Sequence, residues 1–250
     1  MQPRTSVAAQ VTQAWRDWTR ERPRAAALGV TLAVCAGLMV TLDRPVALAV
    51  HAYLPDGADA VFQTITDLGD ALPYVLTGLA CYLSGRALFL AAVPAPVARA
   101  YWTMSRMGLY LLITMAVSGA IVHILKFTIG RLRPKHLIRD GQYGFDPGFS
   151  EYANNAFPSG HSQAVFSVMM VLTLLFPRLW FVFLPFGAVV AASRIFVSAH
   201  FPSDVIMGSF IGIACAILVR DRWFADLGTD IGPRPLPAVS SRLRMERAAQ

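Results

Sequence analysis

The chain has 250 residues, of which 55% are hydrophobic and 15% charged, where a soluble domain carries roughly a quarter charged residues. Such a deficit of charge points to a bilayer and argues against an ordinary soluble enzyme. A net charge of +7 would in a soluble protein suggest nucleic acid, but here the arginines cluster at the ends of apolar stretches, and no nucleic-acid partner is needed.

Residues 1–24 carry Arg4, Arg16, Arg20, Arg22 and Arg24 and read as an exposed, amphipathic or disordered basic leader. Apolar stretches follow at 25–42, 72–93, 107–125, 162–176, 179–193 and 205–219. A helix crosses a bilayer with roughly 20 apolar residues, so the shorter stretches need their flanks, and 72–93 counts as a span when Arg86 snorkels or faces protein. The expected fold is all-α: a polytopic membrane protein, with a six-transmembrane-helix bundle over 25–222 and a flexible tail over 223–250. Residues 45–54 are apolar but too short to span, and Asp56, Asp59, Asp67 and Asp70 follow them. That stretch is expected to form a short outer interfacial helix. Ala47 and Ala49 have the spacing of a signal-cleavage site, but the long leader and long apolar run favour a retained span. Cys35, Cys81 and Cys215 lie inside apolar stretches, with neither disulfide-framework nor metal-ligand spacing, and read as small buried hydrophobes.

The positive charges orient this bundle. Besides the leader, Arg99, Arg106, Arg178, Arg220, Arg222, Arg234, Arg242, Arg244 and Arg247 all fall on one side of an even-numbered bundle, which the positive-inside rule makes cytoplasmic. Trp15, Trp18, Trp102, Trp180 and Trp223 mark the same ends as an aromatic belt. Both termini are therefore expected inside, in a bacterial cytoplasmic membrane. One outer segment breaks the rule: Arg131, Arg133, Lys135 and Arg139 fall within nine residues between the third and fourth spans. Such a cluster implies a bound anion or contact with lipid headgroups.

Three clusters of reactive residues share that outer side. Lys126 and Arg133 are seven residues apart, two turns of one helix face, and together suit a tetrahedral anion. Pro158, Ser159, Gly160 and His161 open the fourth span, where unpaired N–H groups, a capping serine and a glycine form a phosphate cradle. His161 stands there in position to protonate a departing oxygen. After Arg194 come His200 and, four residues later, Asp204; that carboxylate can take the Nδ1 proton and leave Nε2 free to attack. Each cluster alone also reads as ordinary structure: a headgroup contact, a capped helix, an ion pair. Their shared location favours one phosphate site. His123 would share the Lys126 face as a packing or supporting residue, and His51 and His136 read as surface histidines. Asp140, Asp146 and Glu151 match no metal-ligand motif, and no cofactor is expected.

The segments "KFTIGRLRP", "PSGH" and "SRIFVSAHFPSD" resemble, in order and spacing, the three-part signature of the type 2 phosphatidic acid phosphatase superfamily. The resemblance covers residues 126–204 and implies the membrane lipid phosphate phosphatase branch. It implies that Lys126, Arg133 and Arg194 bind phosphate, with Ser159 and Gly160 in the anion pocket. It makes His161 the general acid, His200 the nucleophile and Asp204 its orienting partner, in a metal-independent reaction through phosphohistidine. Substrates consistent with it are phosphatidic acid, phosphatidylglycerophosphate, undecaprenyl diphosphate and lipid A phosphates, the isoprenyl and glycerophospholipid compounds coming first. A lipid phosphotransferase using the same site, and a non-catalytic headgroup-binding or transport protein, are the alternatives.

Overall fold

Proline and glycine punctuate this chain, and several helices begin or end at them. In the computed structural model, which describes residues 20–55, 57–91, 94–147 and 155–227, α1 is Pro23–Thr41, α2 Asp43–Tyr53, α3 Ala58–Asp67, α4 Ala71–Leu90 and α5 Ala95–Ile129. Then come α6 (Pro134–Asp140), α7 (Gly160–Leu175), a 3-10 turn (Pro177–Leu179), α8 (Trp180–Phe196) and α9 (Pro202–Trp223). Proline stands in the first turn of α1, α5, α6 and α9, where its missing N–H breaks no helical bond. Expectations that fall on the leader over 1–19, on the tail over 228–250, and on Asp56 and Glu151 lie outside the described residues.

The described residues hold no strand, only isolated bridges pairing Arg131 with Phe145 and Leu132 with Asn155. Four segments, Pro23–Thr41, Ala95–Ile129, Pro177–Phe196 and Pro202–Trp223, are long and apolar enough to cross a membrane. The chain is an integral membrane protein. α7 is shorter, at 16 residues. α4 has 20 residues and runs antiparallel along α5, with Gly78 against Gly108 and Gly85 against Ser105. Arg86 on α4 lies 5.4 Å over the Trp102 ring, a cation–π contact that gives its charge a partner. α1, α4 and α8 expose Leu32, Leu76, Leu83, Phe181 and Val189, as a lipid-facing surface requires.

Two elements differ from the sequence reading. α5 begins twelve residues before the apolar run at 107, because 98–106 contains neither glycine nor proline and Arg106 finds partners. Arg99 and Arg106 thus stand on the helix rather than in a loop, with Arg106 bonded to Asp226 and 5.5 Å over the Phe224 ring. Phe224 and Leu227 are buried against this end of the bundle, so the chain stays packed past residue 223. Second, the acidic stretch after α2 forms α3, whose Phe62, Ile65 and Thr66 face inward at helical spacing.

α9 is the most enclosed span: 56% of its apolar window is buried, against 11% for α1. It packs on α7, α5, α8 and α1. Its contact with α7 depends on Gly208 and Gly212, one turn apart, where close backbone approach replaces side-chain packing. A Cβ at Gly208 would come 2.2 Å from the Ser159 carbonyl oxygen, and one at Gly212 2.5 Å from that of Gln163. Beside them, Gln163 Nε2 donates to Ser118 Oγ at 2.6 Å and Ser118 lies 3.0 Å from Ser167 Oγ, a buried polar link between α5 and α7.

Gly212→Val is expected to destabilise the protein by about 1–3 kcal/mol or more through overpacking. At Gly119 an added Cβ would meet nothing within 4 Å, and valine there should cause little change. Thermal unfolding of both variants in detergent measures the difference, and equal midpoints would contradict the tight α7–α9 contact.

Candidate active site

α5 and α8 end, and α4, α7 and α9 begin, at one end of the bundle, where the chain reverses. Gly130 ends α5 in the left-handed region at φ 59°, and a Cβ there would meet the Asp146 carbonyl oxygen at 2.1 Å. Only glycine fits such a turn. The helix therefore stops before Arg133, and Lys126 and Arg133 do not share a helical face as their spacing predicts. Lys126 is buried in the last turn of α5, its Nζ donating to the Asn155 carbonyl at 2.8 Å. Arg133 is the residue preceding α6.

Between them lies Arg131, buried, which the sequence reading leaves undistinguished within its cationic cluster. Its guanidinium donates to Asp43 Oδ2 at 2.8 Å, Ser203 Oγ at 2.6 Å, Tyr143 Oη at 3.0 Å and Asp204 Oδ1. The Phe201 ring lies 4.4 Å from its centre. Asp43, also buried, accepts from the Ser203 N–H at 3.0 Å and from the Ser203 hydroxyl. A buried cation therefore ties the α1–α2 junction to the start of α9. The charge pattern marks neither partner: Asp43 sits among apolar residues and Arg131 in a basic loop.

Asp204, buried in the first turn of α9, accepts the Phe201 N–H on Oδ2 at 2.8 Å. The same oxygen is 3.6 Å from His200 Nδ1, an ion-pair distance rather than a hydrogen bond. His200 Nδ1 has no hydrogen-bond partner among the described residues. His200 lies between α8 and α9 and is 2% exposed. Burial pushes its imidazole well below the ordinary histidine value, and the charges of Lys126, Arg194 and Arg133 push the same way. The three cations predicted to hold phosphate are therefore its electrostatic neighbours. Two residues earlier, Ser198 takes a left-handed φ of 51°, an uncommon conformation for a side chain other than glycine.

Ser159 caps α7, accepting from the Ser162 N–H at 3.3 Å and the Ser162 hydroxyl at 2.8 Å, while its own N–H donates to the Asp204 carbonyl at 3.0 Å. Gly160 and His161 follow as the first residues of the helix. His161 Nε2 lies 2.9 Å from Asp70 Oδ1, and Arg194 donates to Thr66 Oγ1 at 2.8 Å. The α3–α4 corner thus forms a wall of the site that the motif spacing does not reveal. His123 is exposed and shares a 2.8 Å hydrogen bond with the Gly119 carbonyl, so it does not accompany buried Lys126. A cavity of about 680 Å³ opens at the same end, lined by His51, Asp59, Gln63, Val197 and Ser198 among others. Among the described residues, no three His, Cys, Asp or Glu side chains group closely enough to hold a metal ion.

The PAP2 superfamily profile matches residues 107–226. A lipid A 1-phosphatase from Rhizobium johnstonii is 32% identical over 193 residues, spanning 77% of this chain and 78% of that protein. An undecaprenyl-diphosphatase from Sulfolobus acidocaldarius is 27% identical over 55% of this chain and 66% of its own. The crystal structure of the transmembrane PAP2-type phosphatidylglycerolphosphate phosphatase from Bacillus subtilis superposes with a TM-score of 0.57 at 20% identity, covering 84% of this chain and 98% of that one.

Arg131→Met would leave Asp43 and Asp204 as uncompensated buried charges, and is expected to cost about 3–5 kcal/mol. Arg139→Met, on an exposed arginine paired with the adjacent Asp140, should leave the unfolding midpoint in place. Thermal unfolding in detergent compares them; similar midpoints would mean the Arg131 network does not hold this end together.

Proposed function

Because this chain belongs to the PAP2 superfamily and is a membrane phosphatase, we propose that it hydrolyses a lipid phosphate at the non-cytoplasmic face through a phosphohistidine on His200. One observation carries the reading: a buried histidine, a second histidine at a helix start and three cations meet at one end of an apolar bundle. In the proposed first step His200 Nε2 attacks phosphorus in line, the bond from phosphorus to the lipid oxygen breaks, and His161 gives that oxygen a proton. In the second step His161 takes a proton from water, whose oxygen attacks the phosphohistidine and releases phosphate and free His200. Lys126, Arg133, Arg194 and the helix-start N–H groups around Ser159 and Gly160 stabilise the charge that develops on the phosphoryl oxygens. Asp204 supports the imidazolium. Phosphoryl transfer needs mainly alignment and such charge stabilisation, so the reaction is proposed to be metal-independent.

In this proposal α4 and α7 complete a six-span bundle with the four longer segments, and α2 lies in the outer interface. Arg99, Arg106, Arg178, Arg220 and Arg222 gather at the end opposite the site, which supports a cytoplasmic placement for that end, for both termini and for the leader and tail. Lipid A 1-phosphate becomes the first substrate to test, because the relative bearing that activity matches over about three quarters of both chains. That preference replaces the order suggested by the sequence alone. Undecaprenyl diphosphate and phosphatidylglycerophosphate follow. The cavity beside Ser198 gives a polar headgroup room next to the phosphate site.

Purified protein in excess chelator is expected to release phosphate from at least one of these lipids. Loss of turnover that magnesium restores would overturn the metal-independent mechanism, and transfer of label to a second lipid without free phosphate would establish a phosphotransferase. His200→Ala should abolish acid-labile phosphoprotein in rapid-quench trapping, while Asp204→Asn should slow its formation by about 10²–10⁴-fold. Phosphoprotein that persists in His200→Ala would overturn the role given to that residue.

A further inference from the structure

Asp70 stands immediately before α4, a position where aspartate ordinarily accepts a backbone N–H of the first turn. It makes no such capping bond. Its carboxylate reaches across to α7 and lies 2.9 Å from His161 Nε2. The corner that carries it is held from several sides. Gly69 N–H donates to the Thr66 carbonyl at 2.8 Å, Asp70 N–H to that of Asp67 at 3.2 Å, and Tyr74 Oη to that of Leu68. Gly69 is packed so closely on α7 and α8 that a Cβ there would lie 3.2 Å from both His161 Cβ and Val190 Cγ1. Thr66, one turn before, holds Arg194. The corner is therefore built against the site, with its carboxylate aimed at a single nitrogen.

We propose that Asp70 is a positioning residue for His161. By holding the proton on Nε2, it makes Nδ1 the nitrogen that gives a proton to the leaving oxygen and later takes one from water. This rests on the reading of His161 as the acid. In the first step the Nδ1–H bond breaks and the proton goes to the oxygen leaving phosphorus, while the Nε2–H stays bonded to the Asp70 carboxylate. The second step reverses this at Nδ1, with water as the proton source. Asp70 itself neither gains nor loses a covalent bond. A protonated His161 stands beside Arg133 and Arg194, and Asp70 provides the negative partner that this crowding of cations demands. Asp70 lies outside residues 107–226, so the family profile does not reach it.

The test uses full-length protein in detergent and two substrates that differ in their need for an acid: dodecyl phosphate, whose alkoxide leaves poorly, and 4-nitrophenyl phosphate, whose phenolate leaves well. Rapid-quench measurement of the first release of alcohol or phenol isolates the step. Asp70→Asn and Asp70→Ala are expected to slow release from dodecyl phosphate by about tenfold or more, and from 4-nitrophenyl phosphate by less than about threefold. His161→Ala should show the same split more strongly. Asp70 is more than half exposed and caps no helix, so the variants should keep the unfolding midpoint. Equal losses on both substrates, or no loss on either, would overturn the inference while a split in His161→Ala left the reading of that histidine standing. No split in His161→Ala would overturn both.

Discussion

A guanidinium buried between two carboxylates sets the geometry of the candidate active site. Stripping water from Arg131, Asp43 and Asp204 costs several kcal/mol per ion, and the loss is offset only if each finds its partners at once. They do so because four stretches of chain meet there: the α1–α2 junction with Asp43, the turn after α5 with Arg131, the loop after α6 with Tyr143, and the start of α9 with Ser203 and Asp204. A shift of the stretch carrying Asp43, Arg131 or Asp204 by a helical turn would break a buried charge pair. The arrangement fixes both oxygens of Asp204, one on Arg131 and the other on the Phe201 N–H, so the carboxylate facing His200 has little freedom to rotate.

The residues that announce themselves in the sequence are those whose partners are near in the chain or whose cost is visible without partners. A histidine and an aspartate four apart, and a serine and glycine opening an apolar run, carry their chemistry locally. Lys126 stands out because a cation at the end of an apolar helix needs an explanation. Arg131 does not, since three other cations surround it and its partners Asp43 and Asp204 lie 88 and 73 residues away. Asp43 draws no notice, and Asp70 looks like one of several outer acids, for the same reason. The shared face expected of Lys126 and Arg133 fails because Gly130 ends the helix before Pro134 can. α3 is hard to read because its buried face comprises few residues and acidic neighbours mask it.

The two histidines occupy contrasting settings built from the same parts. His200 is buried, with a carboxylate near Nδ1. His161 is about a third exposed, with a carboxylate on Nε2. The carboxylates thus stand by opposite ring nitrogens, which in the proposed mechanism leaves Nε2 of His200 for attack and Nδ1 of His161 for proton transfer. Lys126, Arg194 and Arg133 all act electrostatically on His200, and in the proposed reaction the same three groups would face the phosphate.

α5 has a further consequence that follows from its length. Arg106, anchored to Asp226, and Lys126, at the phosphate end, are separated by 20 residues of unbroken helix, about 30 Å at 1.5 Å per residue. That is the thickness of the hydrocarbon layer. The helix thus carries one cation at each edge of a layer of that thickness, and in the proposed orientation it would act as a depth gauge: seating Arg106 at one headgroup layer would set Lys126 at the level of the opposite one.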